Sequence, residues 1–260
     1  MKIILDLKKS VEANASDYYS KIKKLKKKLE GNKDALSDSL VKLKKLKQEK
    51  EKIIKKLETE KQTKTEKKEW YENFRWFISS DNFLVIGGRD ATSNEIIVKK
   101  HAEKNDRVLH TDMIGSPFFV IKSNNKKIPE KTIIETADAT VTFSRAFKLG
   151  LSTTKTFMAR PEQLTKEALS GEFVPKGGFI TKGKLEYIDN KINIAIGICK
   201  NKIMAGPLEA VKAHCKTFIH LEQGNDKPGK IAKMIANKLD YKNLDDIIRA
   251  LPSGNLRVKK

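Results

Sequence analysis

Cysteine occurs only twice in the 260 residues, at Cys199 and Cys215. That is too few for a disulfide framework and suits a reducing compartment. No run of about 18 apolar residues is present to cross a bilayer. The opening MKIILDLKKSVEANA has an apolar stretch too short and interrupted for a signal peptide or anchor. A cytoplasmic protein without membrane contact is expected. Arginine is missing from residues 1–69, and between Ser10 and Ile78 there is no proline and one glycine.

Other absences bear on chemistry. There is no GxxxxGK[ST] phosphate cradle, and the glycines of GGRD at 87–90 read as a polar turn between two strands with no helix behind them. Nucleotide hydrolysis is therefore not expected. No nucleophile elbow frames a serine. His110, Asp112, His214, Cys215 and His220 follow no zinc spacing, so neither a metal nor a cofactor is expected. For an enzyme acting on RNA, the only set to nominate is His110 with Asp112 and Glu172, and the expectation is that the chain is not an enzyme.

Positive charge is abundant. Against 33 Asp+Glu stand 54 Lys+Arg, a formal net charge of +21, enough to attract a polyanion such as RNA. Residues 1–69 hold 22 Lys and 12 Asp+Glu, a net of +10; the other +11 is spread over 191 residues. Leu36, Leu40, Leu43, Lys47, Lys50, Ile54 and Leu57 alternate in steps of four and three, a heptad signature. Ile22, Leu25 and Leu29 repeat it in a different phase, and the slip at Gly31-Asn32 predicts one long, interrupted helix. Lysine at two seam positions makes a single copy marginal, so this helix wants a partner. Glu49, Glu51, Glu58 and Glu60 intersperse with lysine as on a solvated face. SKIKKLKKKL at 20–29 has no acid, which makes Lys23, Lys24, Lys26, Lys27 and Lys28 the best candidates for phosphate contact.

From Phe83 the period shortens. Apolar segments at 83–87, 95–99, 107–110, 117–122, 155–159, 178–182 and 192–198 predict a mainly antiparallel sheet. One helix is expected from Pro129 to Gly150. After Gly206-Pro207 the pattern reads helix 207–214, strand 216–221, turn QGNDKPG, then helices 228–239 and 243–250. The fold class is α+β: a basic coiled-coil helix over 1–78, a sheet domain over 79–200 and an α/β extension over 201–260. Trp70, Phe74 and Phe77, at helical spacing, are expected to share a junction core, with base stacking as the alternative. A turn accounts for Gly87, Gly88 and Asp90. Arg89 suits either bidentate phosphate or base contact or a pairing with Asp90 or Glu95.

WYENFRWFISSDNFLVIGGRDATSNEIIVKK, LHTDMIGSPFFVIK and QLTKEALSGEFVPKGGFITKGK resemble, in order and spacing, successive motifs of the RNA-binding domain of NFACT proteins. LDLKKSVEANASDYYSKIKK resembles the start of that family's descending coiled-coil helix, and the likeness covers about residues 3–198. Residues 207–260 are similar to an added segment of some archaeal members. Two departures stand out: Ile114 replaces the second histidine of the family's His-Ala-Asp-Leu-His-Gly, and Lys182 with Leu185-Glu186 replaces Arg and Lys-Asn.

The resemblance implies ribosome-associated quality control: binding to a large subunit that still carries peptidyl-tRNA after a stall, holding tRNA, and supporting tailing of the stalled chain. It implies rRNA and tRNA as partners, with Arg89, Asn94, Lys99, Lys100, His110, Lys122 and Lys166 as candidate RNA contacts on the sheet domain. The N-terminal NFACT half is the implied coiled-coil partner, and the chain is expected to be a piece of a longer protein or one half of a split gene. A coiled-coil adaptor without RNA contact is the rival reading.

Overall fold

A computed structural model describes residues 4–61, 68–167 and 173–259, and divides the chain into two compact units, Met1–Lys68 and Glu69–Lys260.

The first unit is one helix, α1 (Val11–Lys61), preceded by a short folded-back lead. The Ser10 hydroxyl accepts from the Ala13 N–H at 3.2 Å, satisfying one of the donors a helix start leaves open. The Asn14 side chain ties the lead down by accepting from the Asp6 N–H and donating to the Asp6 carbonyl. The expected interruption at Gly31-Asn32 is not there: α1 runs straight through. The physical reason lies in the seam. Val11, Tyr18, Ile22, Leu25, Leu29, Leu36, Leu43 and Leu46 hold one unbroken three-and-four register, with polar Asn32 and Ser39 at two of its positions. Reading Leu40 as a seam residue created the apparent slip. The apolar members of this stripe are all exposed. The side chains of Ile54 and Leu57 lie outside the described residues.

In the second unit, strands β1 (Arg75–Ile78), β2 (Leu84–Gly87), β3 (Arg107–Thr111), β4 (Phe119–Ile121), β5 (Thr156–Ala159) and β8 (Glu186–Ile188) form a six-stranded sheet in the order β1-β2-β4-β3-β5-β8. Every pairing in it is antiparallel. Two short strands, β6 (Leu164–Thr165) and β7 (Ile180–Thr181), pair separately. Alternate side chains point to opposite faces of a strand. Thus Phe77, Val85, Leu109, Phe119 and Ile121 enter the larger core, while Ile86, Val108 and Val120 enter a smaller one on the other side. The larger core is closed by helix α3 (Glu130–Thr142) and by a second sheet. That sheet contains β9 (Ile194–Cys199), β10 (Lys202–Gly206), β11 (Phe218–Asp226) and β12 (Leu256–Val258), in the order β10-β9-β11-β12. Helices α5 (Leu208–His214), α6 (Pro228–Leu239) and α7 (Leu244–Ala250) pack into the same core.

Several expectations need correction. Residues 95–99 are not a strand: α2 (Ala91–Ile96) runs into a single π-type turn, Ile97–His101. Asp90 caps α2 by accepting from the Ser93 N–H at 2.8 Å while the Ser93 hydroxyl accepts from the Asp90 N–H, a reciprocal box. Buried Ile97 and Val98 look β-like in isolation but serve the smaller core. The helix expected over 129–150 breaks at Phe143, and Ser144 caps a separate turn, α4 (Arg145–Lys148). Phe74 and Phe77 occupy different cores, because residues 70–73 form a 3-10 turn and the chain is extended from Arg75. The compact unit begins at Glu69, ahead of residue 79, since β1 pairs with β2. The step between 200 and 201 falls inside the β9–β10 hairpin.

Candidate nucleic-acid interface

Three stretches far apart in sequence meet around one cavity of about 800 Å³: GGRD with α2, the HTDMIGSPF segment, and the loop 173–179. Gly87 and Gly88 both have negative φ, so neither meets the positive-φ requirement of a turn. They are glycines because of close approach. A Cβ on Gly87 would stand 2.3 Å from the Phe119 ring, and one on Gly88 would stand 1.8 Å from Oδ1 of Asn94. Gly177 differs: its φ is +81° and its Cα faces the backbone of Ala91, where a Cβ would come within 2.5 Å. This lets the 173–179 loop lie against the start of α2.

Several of the sheet-domain candidates are engaged within the fold. Asn94 is buried; it accepts from the Phe118 N–H at 3.1 Å and donates to the Ser116 carbonyl at 3.3 Å, joining α2 to the HTDMIGSPF segment. Lys122 is 6 % exposed. Its Nζ meets Asp106 at 2.6 Å and Glu103 at 2.9 Å and donates to the His101 carbonyl at 2.8 Å. These three partners match the three donors of its ammonium group. Lys99 is exposed but pairs with Glu95 one helical turn away at 2.6 Å. Lys166 donates to the Pro175 carbonyl at 3.2 Å, lies 3.5 Å from Glu95 and sits over the Phe179 ring, so it clasps the loop. Lys100 is exposed.

His110 stacks on Phe118 with ring centroids 4.0 Å apart, and its Nε2–H donates to the Ser116 carbonyl at 3.2 Å. Burial pulls its pKa down to about 4, so it is neutral at physiological pH. Glu172 of the nominated acid/base set lies outside the described residues. Among the described residues no group of three His, Cys, Asp or Glu side chains could hold a metal ion.

Among the described residues Arg89 enters no ion pair, and its guanidinium turns back onto the fold. Its Nη2 donates to the Phe74 carbonyl at 2.8 Å and more weakly to that of Glu72 at 3.4 Å. Its buried Nε has no hydrogen-bond partner. Burial, and then the charge of Arg249, lower its pKa. Two arginines overlooked in the sequence lie with it. Arg75 on β1 and Arg249 on α7 share with Arg89 the walls of a second cleft of about 510 Å³. Arg75 is held at about 10 by burial and by the neighbouring Arg89 charge. It lies over the Phe143 ring and donates to the Leu251 carbonyl at 3.1 Å. No local signal marks these two, because the fold alone joins residues 75 and 249.

On α1, Lys23, Lys24, Lys26, Lys27 and Lys28 are exposed, and none of them enters an ion pair among the described residues. Also among the described residues, no helix is long and apolar enough to cross a membrane.

The second unit is thus an α+β domain whose motif-bearing loops gather at one basic, ring-lined hollow. Residues 73–183 match the family model described as the NFACT protein RNA binding domain. The chain is 36 % identical over 211 residues to the archaeal Rqc2 homolog aRqcH of Methanocaldococcus jannaschii, covering 78 % of this chain and 31 % of that protein. It is 33 % identical over 185 residues to the ribosome quality control complex subunit NEMF homolog of Drosophila melanogaster, covering 71 % of this chain and 18 % of that one. The human ribosome quality control complex subunit NEMF matches at 36 % over 126 residues, 48 % of this chain and 12 % of its own length. The chain belongs to the NFACT family. It spans less than a third of the length of these relatives.

Proposed function

We propose that this chain is the RNA- and ribosome-binding part of a quality control factor that acts on stalled nascent chains in the cytoplasm, and that it catalyses no reaction itself. Its partners would be rRNA of the large subunit, tRNA, and the N-terminal NFACT half, met along the exposed stripe of α1. The observation that carries this reading is the acid-free lysine face at 20–29, exposed on a long helix that precedes an RNA-binding domain. Lysines that hold no carboxylate can each displace a counterion from a phosphate, and that sequence-independent term dominates nucleic-acid affinity. The exposed heptad stripe also supports the rival reading, a protein-docking helix whose lysines only solvate it.

Salt separates the two. Binding through about five phosphates falls steeply with ionic strength, whereas a heptad contact changes little. The test is co-sedimentation with purified large subunits, with and without peptidyl-tRNA, over a salt series. Replacing Lys23, Lys24, Lys26, Lys27 and Lys28 together by Glu is expected to abolish sedimentation at moderate salt and to leave the melting temperature unchanged. Unaltered sedimentation of that variant sinks the RNA reading in favour of the adaptor.

A further inference from the structure

Three guanidinium groups converging on one cleft repel one another and need an external reason to be there. Among the described residues no ion pair joins Arg75, Arg89 or Arg249 to a carboxylate. The two acids in reach, Asp90 and Asp246, favour the Arg89 charge without an ion pair, and their oxygens are hydrogen-bonded elsewhere, Asp90 as the cap of α2 and Asp246 in accepting from the Tyr241 hydroxyl. The cleft is also lined by Pro228, first residue of the twelve-residue α6, whose start has no side-chain cap. That helix start adds partial positive charge to the arginine cluster, although Pro228 has no N–H and the Lys230 N–H donates to the Lys227 carbonyl. Both the cleft and the larger cavity are lined by Arg75, Arg89, Asp90 and Ser253, so one ligand can reach from the first into the second.

The larger cavity has the opposite character. Half-buried Phe179 stands edge to face at 5.4 Å with buried Phe118, which carries the stacked, neutral ring of His110. At its mouth Ile114 and Phe173 are 88 % and 86 % exposed, apolar groups that no described residue covers. An anion cleft beside a ring-lined hollow is what a nucleotide needs: charge-assisted bonds for its phosphate and a flat apolar surface for its base. A peptide segment would instead call for a free strand edge or a long apolar groove.

We propose that cleft and cavity form one site for an unpaired nucleotide, with the phosphate held among Arg75, Arg89 and Arg249 and the base stacked in the hollow. The site rests on the RNA-binding reading above and adds to it a single-stranded ligand with a fixed point of entry. Arg249 lies beyond residues 73–183, so the C-terminal segment completes a site that the matched domain carries only in part.

The test uses the whole chain with a ten-nucleotide single-stranded RNA carrying 4-thiouridine, cross-linked by light and mapped by mass spectrometry. Cross-links at Ile114, Phe173 or Phe179 are expected, as distinct from the lysines of α1. Arg249→Glu changes an exposed side chain and should lower that yield at least tenfold without altering the melting temperature. Ser253→Trp, which fills the wall common to both hollows, should do the same. Competition with uridine monophosphate separates the sources. Displacement at comparable concentration indicates a free nucleotide, and failure to displace indicates an RNA strand; either keeps the site. Cross-links confined to α1, yields unchanged in both variants, or equal displacement by an acidic peptide of the same charge would overturn it. Intact sedimentation with large subunits alongside any of those results rejects the nucleotide site alone.

Discussion

The two units carry nearly the same excess charge, +11 over residues 1–68 and +10 over residues 69–260, yet they use it differently. On α1 the lysines project into water from a surface with no acid between residues 20 and 29. In the sheet unit Lys122, Lys166 and Lys202 are tied to Asp106, Glu95 and Glu72 or to backbone carbonyls, and they hold loops in place. A lysine count therefore says little about where a polyanion will bind. What matters is whether the fold has already given the charge a partner.

The sharpest way to break this comparison is Lys122→Ala. Removing one member of a buried pair leaves the Asp106 charge without its cation, held only by the Glu103 and Ser123 N–H groups, and such a loss typically costs about 3–5 kcal/mol. Urea unfolding should show a loss of that size, and a loss under about 1 kcal/mol would return Lys122 to the set of available cations. Gly87→Val comes next. Its side chain enters the space of a fully buried Phe119 ring, and overpacking of this kind costs about 1–3 kcal/mol. Wild-type stability would mean that the close approach at β2 is not tight.

Acid should distinguish the units as well. His110 titrates near 4 in the folded chain and near 6.5 when unfolded. Between those values the unfolded state binds more protons, so stability rises with pH across the window and is lost as pH falls through it. Acidification from pH 7 to pH 5 should cost about 2 kcal/mol from this group. Denaturant melts at the two pH values should show that loss in the wild type and a smaller one in His110→Phe, which keeps a ring against Phe118. Equal losses would mean other groups set the acid sensitivity. The smallest effect is expected at Lys99→Ala. Its i,i+4 pair with Glu95 is solvent-facing and worth about 0.5 kcal/mol or less; a thermal melt shifted by several degrees would contradict this.

Local signals were legible where sequence neighbours decide the structure. The long proline-free helix, the strands at 83–87 and 107–110, and the α5, α6 and α7 segments follow from periodicity and capping residues read within a few positions. The failures have a common cause. Residues 95–99 look like a strand because Ile96, Ile97 and Val98 are β-branched, but the Asp90–Ser93 box starts a helix and the smaller core accepts their apolar side chains. Asn94 and Lys122 read as surface polar groups, and only the fold reveals Phe118 and Asp106 as their partners. The arginine cleft was invisible for the same reason: its members stand on β1, before α2 and on α7.

The unbroken course of α1 sets a distance. At 1.5 Å per residue its 51 residues make a rod about 75 Å long, several times the roughly 8 Å over which physiological salt screens a charge. An event at one end of the rod is electrically silent at the other. Contacts made along it are therefore coupled only through the stiffness of the rod, which works as a ruler: it fixes how far apart two simultaneous points of attachment must lie, and a deletion of one turn would shorten that separation by about 5 Å.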